Sequence, residues 1–223
     1  MFAWAIDAGK ANTNPAIEVH YIPSRNPDGW HTATVDEVRQ FENRHPIGTK
    51  ARLALSLFMF TGVRKSDAVR LGRQLERPGD ADSPHGWLCF TETKGRNRHP
   101  KPREIPILPE LRAVLDATPS GHLTYLVTQF GKPFTANGFG NWFRKRCDEA
   151  GLPLVSAHTL RKAAATIAAE NGANEYQLMV IFEWMTPKEA ARYVRKANRK
   201  KLIISAMRLV VPKQKGNPSV PLS

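Results

Sequence analysis

The stretch SAHTLR, residues 156–161, carries the most information about the fold of this chain. Ser156 is a favoured helix N-cap and predicts a helix that runs to Asn171-Gly172. His158 and Arg161 stand three positions apart, so both project from one face of that helix. A guanidinium grips two oxygens of an oxyanion, and an imidazole exchanges protons near neutral pH. The stretch therefore predicts a helix that presents an anion grip and a proton carrier side by side.

Two more helices are predicted downstream of this one. Asn174 caps a short helix that ends near Phe182. The segment Thr186-Pro-Lys-Glu189 is a capping box with proline at the first helical position, and it starts a helix that carries Tyr193. Tyr193 follows Trp184 by nine residues. A further helix is predicted over about residues 198–210.

Upstream, residues 49–60 show apolar side chains at helical spacing and predict a buried helix. Thr61-Gly62 ends it, and Arg64 follows the turn. Ser66 or Asp67 is predicted to cap the next short helix. Segments 86–91 and 103–107 are predicted strands around a basic loop, and residues 123–128 are predicted to add a short strand.

Together these stretches resemble the catalytic domain of the tyrosine recombinase (phage-integrase) family, from about Thr34 to about Ala206. The pattern of that family is an Arg in a T-G-x-R segment, a Lys on a hairpin, an H-x-x-R helix, a second His or Trp, and a Tyr nine residues later. The resemblance implies a catalytic set made of Arg64, Lys94, His158, Arg161, Trp184 and Tyr193.

The chain departs from the commoner family pattern at two places. It reads Phe182-Glu183-Trp184 where the family usually has Leu-Gly-His, and Glu183 in place of a glycine leaves the local backbone conformation open. Asp67 stands where the family often has Glu, and it either orients Arg64 or caps a helix. Lys101 is the rival of Lys94 for the role of catalytic lysine.

The resemblance also implies a role for each group. Tyr193 attacks the scissile phosphate, Arg64 and Arg161 hold its oxygens, and Lys94 protonates the departing 5′ oxygen. His158 contacts the same phosphate or takes the tyrosine proton, while the indole of Trp184 can only donate a hydrogen bond. The cationic surroundings are expected to activate the tyrosine. DNA backbone contacts are expected from Arg96, Arg98, Lys101, Arg192, Arg195, Lys196 and Arg199.

Composition favours a nucleic-acid partner. Thirty-three Lys and Arg against 20 Asp and Glu give a net charge of +13 and a pI near 10.1. No apolar run approaches the roughly 18 residues that span a bilayer. The two cysteines, Cys89 and Cys147, make a disulfide framework or a cysteine zinc site improbable and fit a reducing cytoplasm. No cluster of Asp, Glu and His has metal-ligand spacing, which argues against a metal nuclease, and no cofactor is expected.

These patterns predict a mainly α fold with a small antiparallel β-sheet (α+β). Residues 1–33 are interpreted as the end of a truncated N-terminal core-binding domain plus linker. Residues 34–211 form the catalytic domain, and 212–223 a disordered tail.

The resemblance implies a site-specific recombinase or integrase that cuts and rejoins DNA through a 3′-phosphotyrosyl link, for integration or excision of a mobile element. Its expected partners are double-stranded DNA, other copies of itself in a tetramer, and an accessory DNA-bending or directionality factor, without a membrane. Its expected location is the cytoplasm, in association with the nucleoid, and its expected origin is bacterial or phage-derived. Alternatives are an enzyme like a type IB topoisomerase or telomere resolvase, and a non-catalytic DNA-binding regulator on the same scaffold.

Overall fold

The structure is a computed structural model that describes residues 2–17, 19–20, 31–94 and 100–210, without the side chains of 198–202, 205, 208 and 209. Two compact units divide the chain at Trp30 and His31. The first contains helix α1 (Phe2–Asp7), and Gly9 follows it with a positive φ of 65°. The predicted tail, 212–223, lies outside the described residues.

The second unit begins with two helices whose ends follow the sequence signals. Helix α2 (Val35–Arg44) starts at a complete capping box between Thr34 and Glu37. Helix α3 (Lys50–Thr61) is buried along most of its length and ends at Gly62, whose φ of 60° is left-handed.

The next helix, α4 (Lys65–Ala68), corrects one prediction. Its N-cap is Arg64, which makes no side-chain capping bond, and Ser66 and Asp67 lie inside the helix. The carboxylate of Asp67 instead accepts a hydrogen bond from the backbone N–H of Thr93 at 2.7 Å. The Asp67 carboxylate therefore binds the backbone of the segment that leads into the basic loop.

A three-stranded antiparallel sheet has the order β1-β2-β3, with β1 (Glu76–Arg77), β2 (Trp87–Thr91) and β3 (Pro102–Pro106). The β2–β3 hairpin was predicted, whereas the two-residue β1, after a 3-10 turn at Arg73–Leu75, was not. The predicted strand over 123–128 is wrong. The backbone of this segment makes one isolated bridge among the described residues, Val127 to Pro133. The N–H of Tyr125 donates to the carbonyl of Leu71 at 2.8 Å and does not join a strand pair.

Among the described residues, five further helices follow: α5 (Pro109–Ala117), α6 (Ala136–Glu149), α7 (Ala157–Glu170), α8 (Glu175–Phe182) and α9 (Pro187–Val210). The two helices predicted over the last stretch are one continuous helix, α9, since no glycine or proline interrupts residues 188–210. The predicted fold class, mainly α with a small antiparallel sheet, is confirmed. None of the described helices is both long and apolar enough to cross a membrane.

The core has two parts, and the smaller one positions the site. The larger contains the packed rings of Phe41, Phe58, Phe139 and Phe143. The smaller joins α7, α8 and α9, and its buried residues are Ala164, Ala165, Ala169, Leu178, Phe182 and Ala190. Because four of these are alanines, the helix backbones can approach closely, and this brings the start of α9 against α7.

Candidate active site

Arg64 is held at the end of a sharp turn. The left-handed Gly62 reverses the chain after α3, and Arg64 follows with extended backbone angles as the N-cap of α4. Its guanidinium Nη1 donates to Oε2 of Glu92 at 2.7 Å, and 26% of the side chain is exposed. One part of the guanidinium is therefore fixed by protein while another part faces solvent.

Arg161 lies deeper, with 8% of its surface exposed. Its Nη2 donates to the backbone carbonyl of Phe182, and the guanidinium carbon lies 5.2 Å from the centre of the Phe182 ring. Nη1 has no hydrogen-bond partner among the described residues. Burial, with the charges of Arg64 and Arg103, lowers the pKa of Arg161 to about 10. The group is still a cation at neutral pH, with a buried donor left for an anion.

Three aromatic rings form a stack beside this guanidinium. The centroids of Phe182 and Trp184 are 5.1 Å apart at 25°, and those of Trp184 and Tyr193 are 5.1 Å apart at 14°. Between the first two, Glu183 adopts a left-handed φ of 48° as the C-cap of α8. This answers the question that the sequence left open: the glutamate takes the left-handed conformation that a glycine would take there.

The pKa of Tyr193 is raised above its ordinary value. Burial is the largest cause and outweighs Arg161 and Arg192, whose charges lower the pKa. The expectation that cationic surroundings activate the tyrosine is thus corrected: the cations are present, but burial is stronger. Tyr193 is protonated at neutral pH, and its attack on an electrophile requires a proton acceptor.

His158 stands in the first turn of α7 as an exposed side chain, after the capping box of Ser156 and Thr159. Its pKa is lowered by partial burial, then by the charges of Lys162 and Arg161. A lowered histidine pKa favours the neutral imidazole at pH 7, which can accept a proton.

Comparison with known proteins assigns the family. The phage integrase family matches residues 32–200, about three quarters of the chain, and all six predicted catalytic positions fall in this range. The chain belongs to the phage integrase family. The sequence resemblance to the tyrosine recombinase (phage-integrase) family is thus confirmed.

Solved structures of tyrosine recombinases share the fold of this integrase-family chain. XerA recombinase is 18% identical, with a TM-score of 0.62 over 92% of this chain and 72% of that one. A lambda integrase dimer bound to a COC′ core site is 18% identical, with a TM-score of 0.67 over 86% and 68%. The Tn1549 transposon integrase bound to transposon right end DNA is 16% identical, with a TM-score of 0.67 over 92% and 75%. A comparison with curated protein sequences found no match.

The two candidate lysines of the integrase fold lie in different surroundings. Lys94 is exposed in the turn after β2. The preceding Thr93 is anchored by Asp67 and by Arg70, whose Nη1 donates to the threonine hydroxyl at 2.9 Å. Lys101 lies at the other end of the loop, with Nζ 3.9 Å from Glu183. The stem of the loop is therefore fixed on both sides.

The predicted DNA-contacting residues fall into three groups. Arg192, Arg195 and Lys196 are exposed on α9. Lys101 is half-buried, and its Nζ lies 2.6 Å from Sδ of Met185. Arg96 and Arg98 lie outside the described residues, as does the side chain of Arg199.

Two residues that the sequence analysis did not select as site residues form the centre of the arrangement. Glu92 is buried between Arg64 and Arg103, with 2% of its side chain exposed. Arg103, at the end of the basic loop, is buried as well. A signal was present in the sequence: Glu92 is the last acidic residue before a loop with five cations, and burying it requires a partner of opposite charge.

Among the described residues no group of three or more His, Cys, Asp or Glu could hold a metal ion. The acidic side chains of the described site, Glu92 and Glu183, are already paired with arginine or lysine.

Proposed function

We propose that this chain is a site-specific DNA recombinase whose nucleophile is the hydroxyl of Tyr193. The observation that supports this most is Arg161, a buried guanidinium in electrostatic range of Tyr193, whose Nη1 has no hydrogen-bond partner among the described residues. A phosphodiester at that position would give the orphaned donor its acceptor and place phosphorus near the tyrosine.

The two arginines act on the phosphate oxygens. As the tyrosine oxygen approaches phosphorus, negative charge grows on the nonbridging oxygens, and fixed guanidinium groups stabilise it without reorganising. Arg64 offers the part of its guanidinium that does not bind Glu92. Arg161 offers the part that does not bind the Phe182 carbonyl.

Proton transfers complete the first step. The raised pKa of Tyr193 requires a base, and the neutral imidazole of His158 is proposed to receive the phenolic proton. The O–P bond to tyrosine forms as the P–O5′ bond breaks. Lys94, with Lys101 as its rival, protonates the departing 5′ oxygen. The products are a 3′-phosphotyrosyl link and a 5′-hydroxyl.

The second step is the reverse of the first. A 5′-hydroxyl from a partner strand attacks the phosphotyrosine and releases Tyr193, so one phosphodiester replaces another and neither ATP nor metal is consumed. This exchange serves integration or excision of a mobile element. Related proteins were solved on DNA, as the lambda and Tn1549 integrases were. Double-stranded DNA and further copies of this chain are accordingly its proposed partners.

The test is a covalent adduct on Tyr193. Because the target site is unknown, a randomised pool of nicked duplexes serves as suicide substrate, and adducts are recovered after SDS. Wild type should form them, Tyr193→Phe should not, and DNA affinity should hardly change. Tyr176→Phe is the matched control, since Tyr176 is 76% exposed on α8. SDS-resistant adducts formed by Tyr193→Phe would overturn the assignment.

Two other outcomes identify the alternatives. A wild-type protein that binds DNA and never forms an adduct is a DNA-binding regulator. One that forms adducts and relaxes supercoils without exchanging strands acts like a type IB topoisomerase.

A further inference from the structure

Glu92 is an acidic side chain in a site built to bind an anion. It directly follows β2, and its backbone N–H donates to the carbonyl of Lys101 at 3.0 Å across the hairpin stem. Each carboxylate oxygen accepts from a different guanidinium. Oε2 lies 2.7 Å from Nη1 of Arg64, and Oε1 lies 3.3 Å from Nη1 of Arg103.

The charges around Arg161 show what this carboxylate does. Arg64 and Arg103 both lower the pKa of Arg161, which means that the three guanidinium groups repel one another. Glu92 opposes them and raises that pKa. If the Glu92 charge is removed, the Arg64 side chain is the one that can most readily move away, because it is the most exposed of the three arginines. A long, flexible side chain freed from its partner turns toward water.

Arg103 extends the connection to the nucleophile side of the site. Its Nη2 donates to the carbonyl of Ile181 at 2.8 Å, and its Nε lies 3.7 Å from Oε1 of Glu183. Ile181 and Glu183 flank Phe182, whose carbonyl holds Arg161. Ion pairs, hydrogen bonds to backbone carbonyls and the backbone around Phe182 therefore connect Arg64 to the end of α8 and to Arg161.

We propose that Glu92 is a positioning residue for cleavage, which holds Arg64 in place and, through Arg103, holds the segment that carries Trp184. This inference rests on the proposed function, in which Arg64 and Arg161 grip the scissile phosphate. Among the described residues, the side-chain ion pairs of Glu92 are made to Arg64 and Arg103. Its own charge repels a phosphate, so its value lies in geometry and its removal does not weaken the attraction of DNA.

The experiment compares Glu92→Gln with a matched control elsewhere in the fold. Glu76 also bridges two groups, accepting from Arg112 at 2.7 Å and from the Tyr125 hydroxyl at 2.6 Å, in a different part of the sheet. Single-turnover adduct formation and DNA affinity are measured for both. We expect Glu92→Gln to cleave roughly 10²-fold more slowly, the scale of a misplaced catalytic group, with unweakened affinity. Glu76→Gln should cleave at the wild-type rate.

Glu92→Asp tests geometry against charge. It keeps the charge but shortens the side chain by one methylene, so its rate should lie between those of Glu92→Gln and wild type. If Glu92→Gln does not fold, Arg103→Lys replaces it. Lysine keeps the positive charge and loses the fork that joins Glu92 to Ile181, and it should slow cleavage at least about 10-fold with unchanged affinity. A wild-type rate in folded Glu92→Gln, or in Arg103→Lys, overturns the inference.

A second measurement does not depend on cleavage. Nitrogen-15 relaxation of the arginine Nε–H groups reports how firmly each guanidinium is held. The Arg64 signal should become mobile in Glu92→Gln and stay rigid in Glu76→Gln. An equally rigid Arg64 in both variants overturns the positioning role. Absence of wild-type adducts, by contrast, removes the proposed function while this measurement still decides whether Glu92 holds Arg64.

Discussion

Burial of Arg161 removes a guanidinium from water, and this burial is the largest cause that lowers its pKa to about 10. Two contacts offset the removal from water, the Phe182 carbonyl and the face of the Phe182 ring. Lysine cannot replace this geometry, since a single ammonium group lacks the planar fork.

Arg161→Lys should therefore cut the rate of adduct formation by at least roughly 10²-fold, the scale for losing one oxyanion donor, and Arg64→Ala should do the same. DNA affinity should change little, because many phosphate contacts remain. Arg39→Ala is the control, since Arg39 is an exposed residue of α2. Near wild-type cleavage by either folded site variant would place the phosphate grip elsewhere.

His158 determines a pH dependence at the same scale. Its folded pKa lies below the ordinary histidine value of about 6.5, so protonation favours the unfolded chain. Its contribution to stability is present above about pH 6.5 and is lost as the pH falls through the lower folded pKa. As a base in its neutral form, His158 should stay active to a pH below the ordinary histidine range.

The pH profile of adduct formation checks this. Wild type should keep its rate through pH 6.5 and lose it at lower pH, while His158→Gln should be slower by about 10²-fold or more and lack that acidic limb. His122→Gln, an exposed loop substitution, should keep the wild-type profile. An unchanged acidic limb in His158→Gln would mean that another group takes the proton.

At the scale of elements, the turn after α3 and the end of α8 meet. A Cβ on Gly62 would lie 2.8 Å from Cε1 of Phe182 and 3.3 Å from the carbonyl of Ile181. The left-handed glycine therefore permits the close approach of two segments, one leading to Arg64 and one bearing the carbonyl that holds Arg161. Local backbone conformation and site geometry depend on each other here.

Gly62→Ala and Gly131→Ala separate these two effects. Both glycines have positive φ, 60° and 70°, but nothing lies within 4 Å of a Cβ on Gly131. Each substitution should cost about 1–2 kcal/mol of left-handed strain, and Gly62→Ala about 1–3 kcal/mol more from overpacking. Only Gly62→Ala should also slow cleavage. Chemical denaturation and adduct assays measure both, and equal losses in the two variants would contradict the contact argument.

At the scale of the whole molecule, the net charge of +13 is expected to control the proposed association with DNA. Binding should weaken steeply with salt, by about 10³- to 10⁵-fold between 50 and 200 mM if 6–10 phosphates are contacted.

In the proposed cleavage, the positive charges that stabilise the phosphate also come from side chains. We expect EDTA to leave adduct formation intact, and an absolute need for Mg²⁺ would point to a metal nuclease instead. Adduct yield with EDTA, against added Mg²⁺, is the measurement.

Local signals in the sequence determined most of the helices and the chemistry of the site. Capping boxes at Thr34 and Ser156, the turn at Gly62 and the hairpin around Lys94 act over a few residues, so their effects can be read without a partner. The family pattern then linked stretches that lie far apart in the chain.

The tertiary structure alone decided which charges are paired and which are free. Glu92 meets Arg64 across 28 residues, and Arg161 meets the Phe182 carbonyl across 21, so neither pairing leaves a periodic trace in the sequence. Burial decided the raised pKa of Tyr193, because desolvation depends on the depth that packing sets. The structure also resolved the conformation of Glu183, which is left-handed as the C-cap of α8. Candidate site residues can be proposed from local patterns and the family resemblance, whereas charge states and pairings follow from contacts made only when the chain has folded.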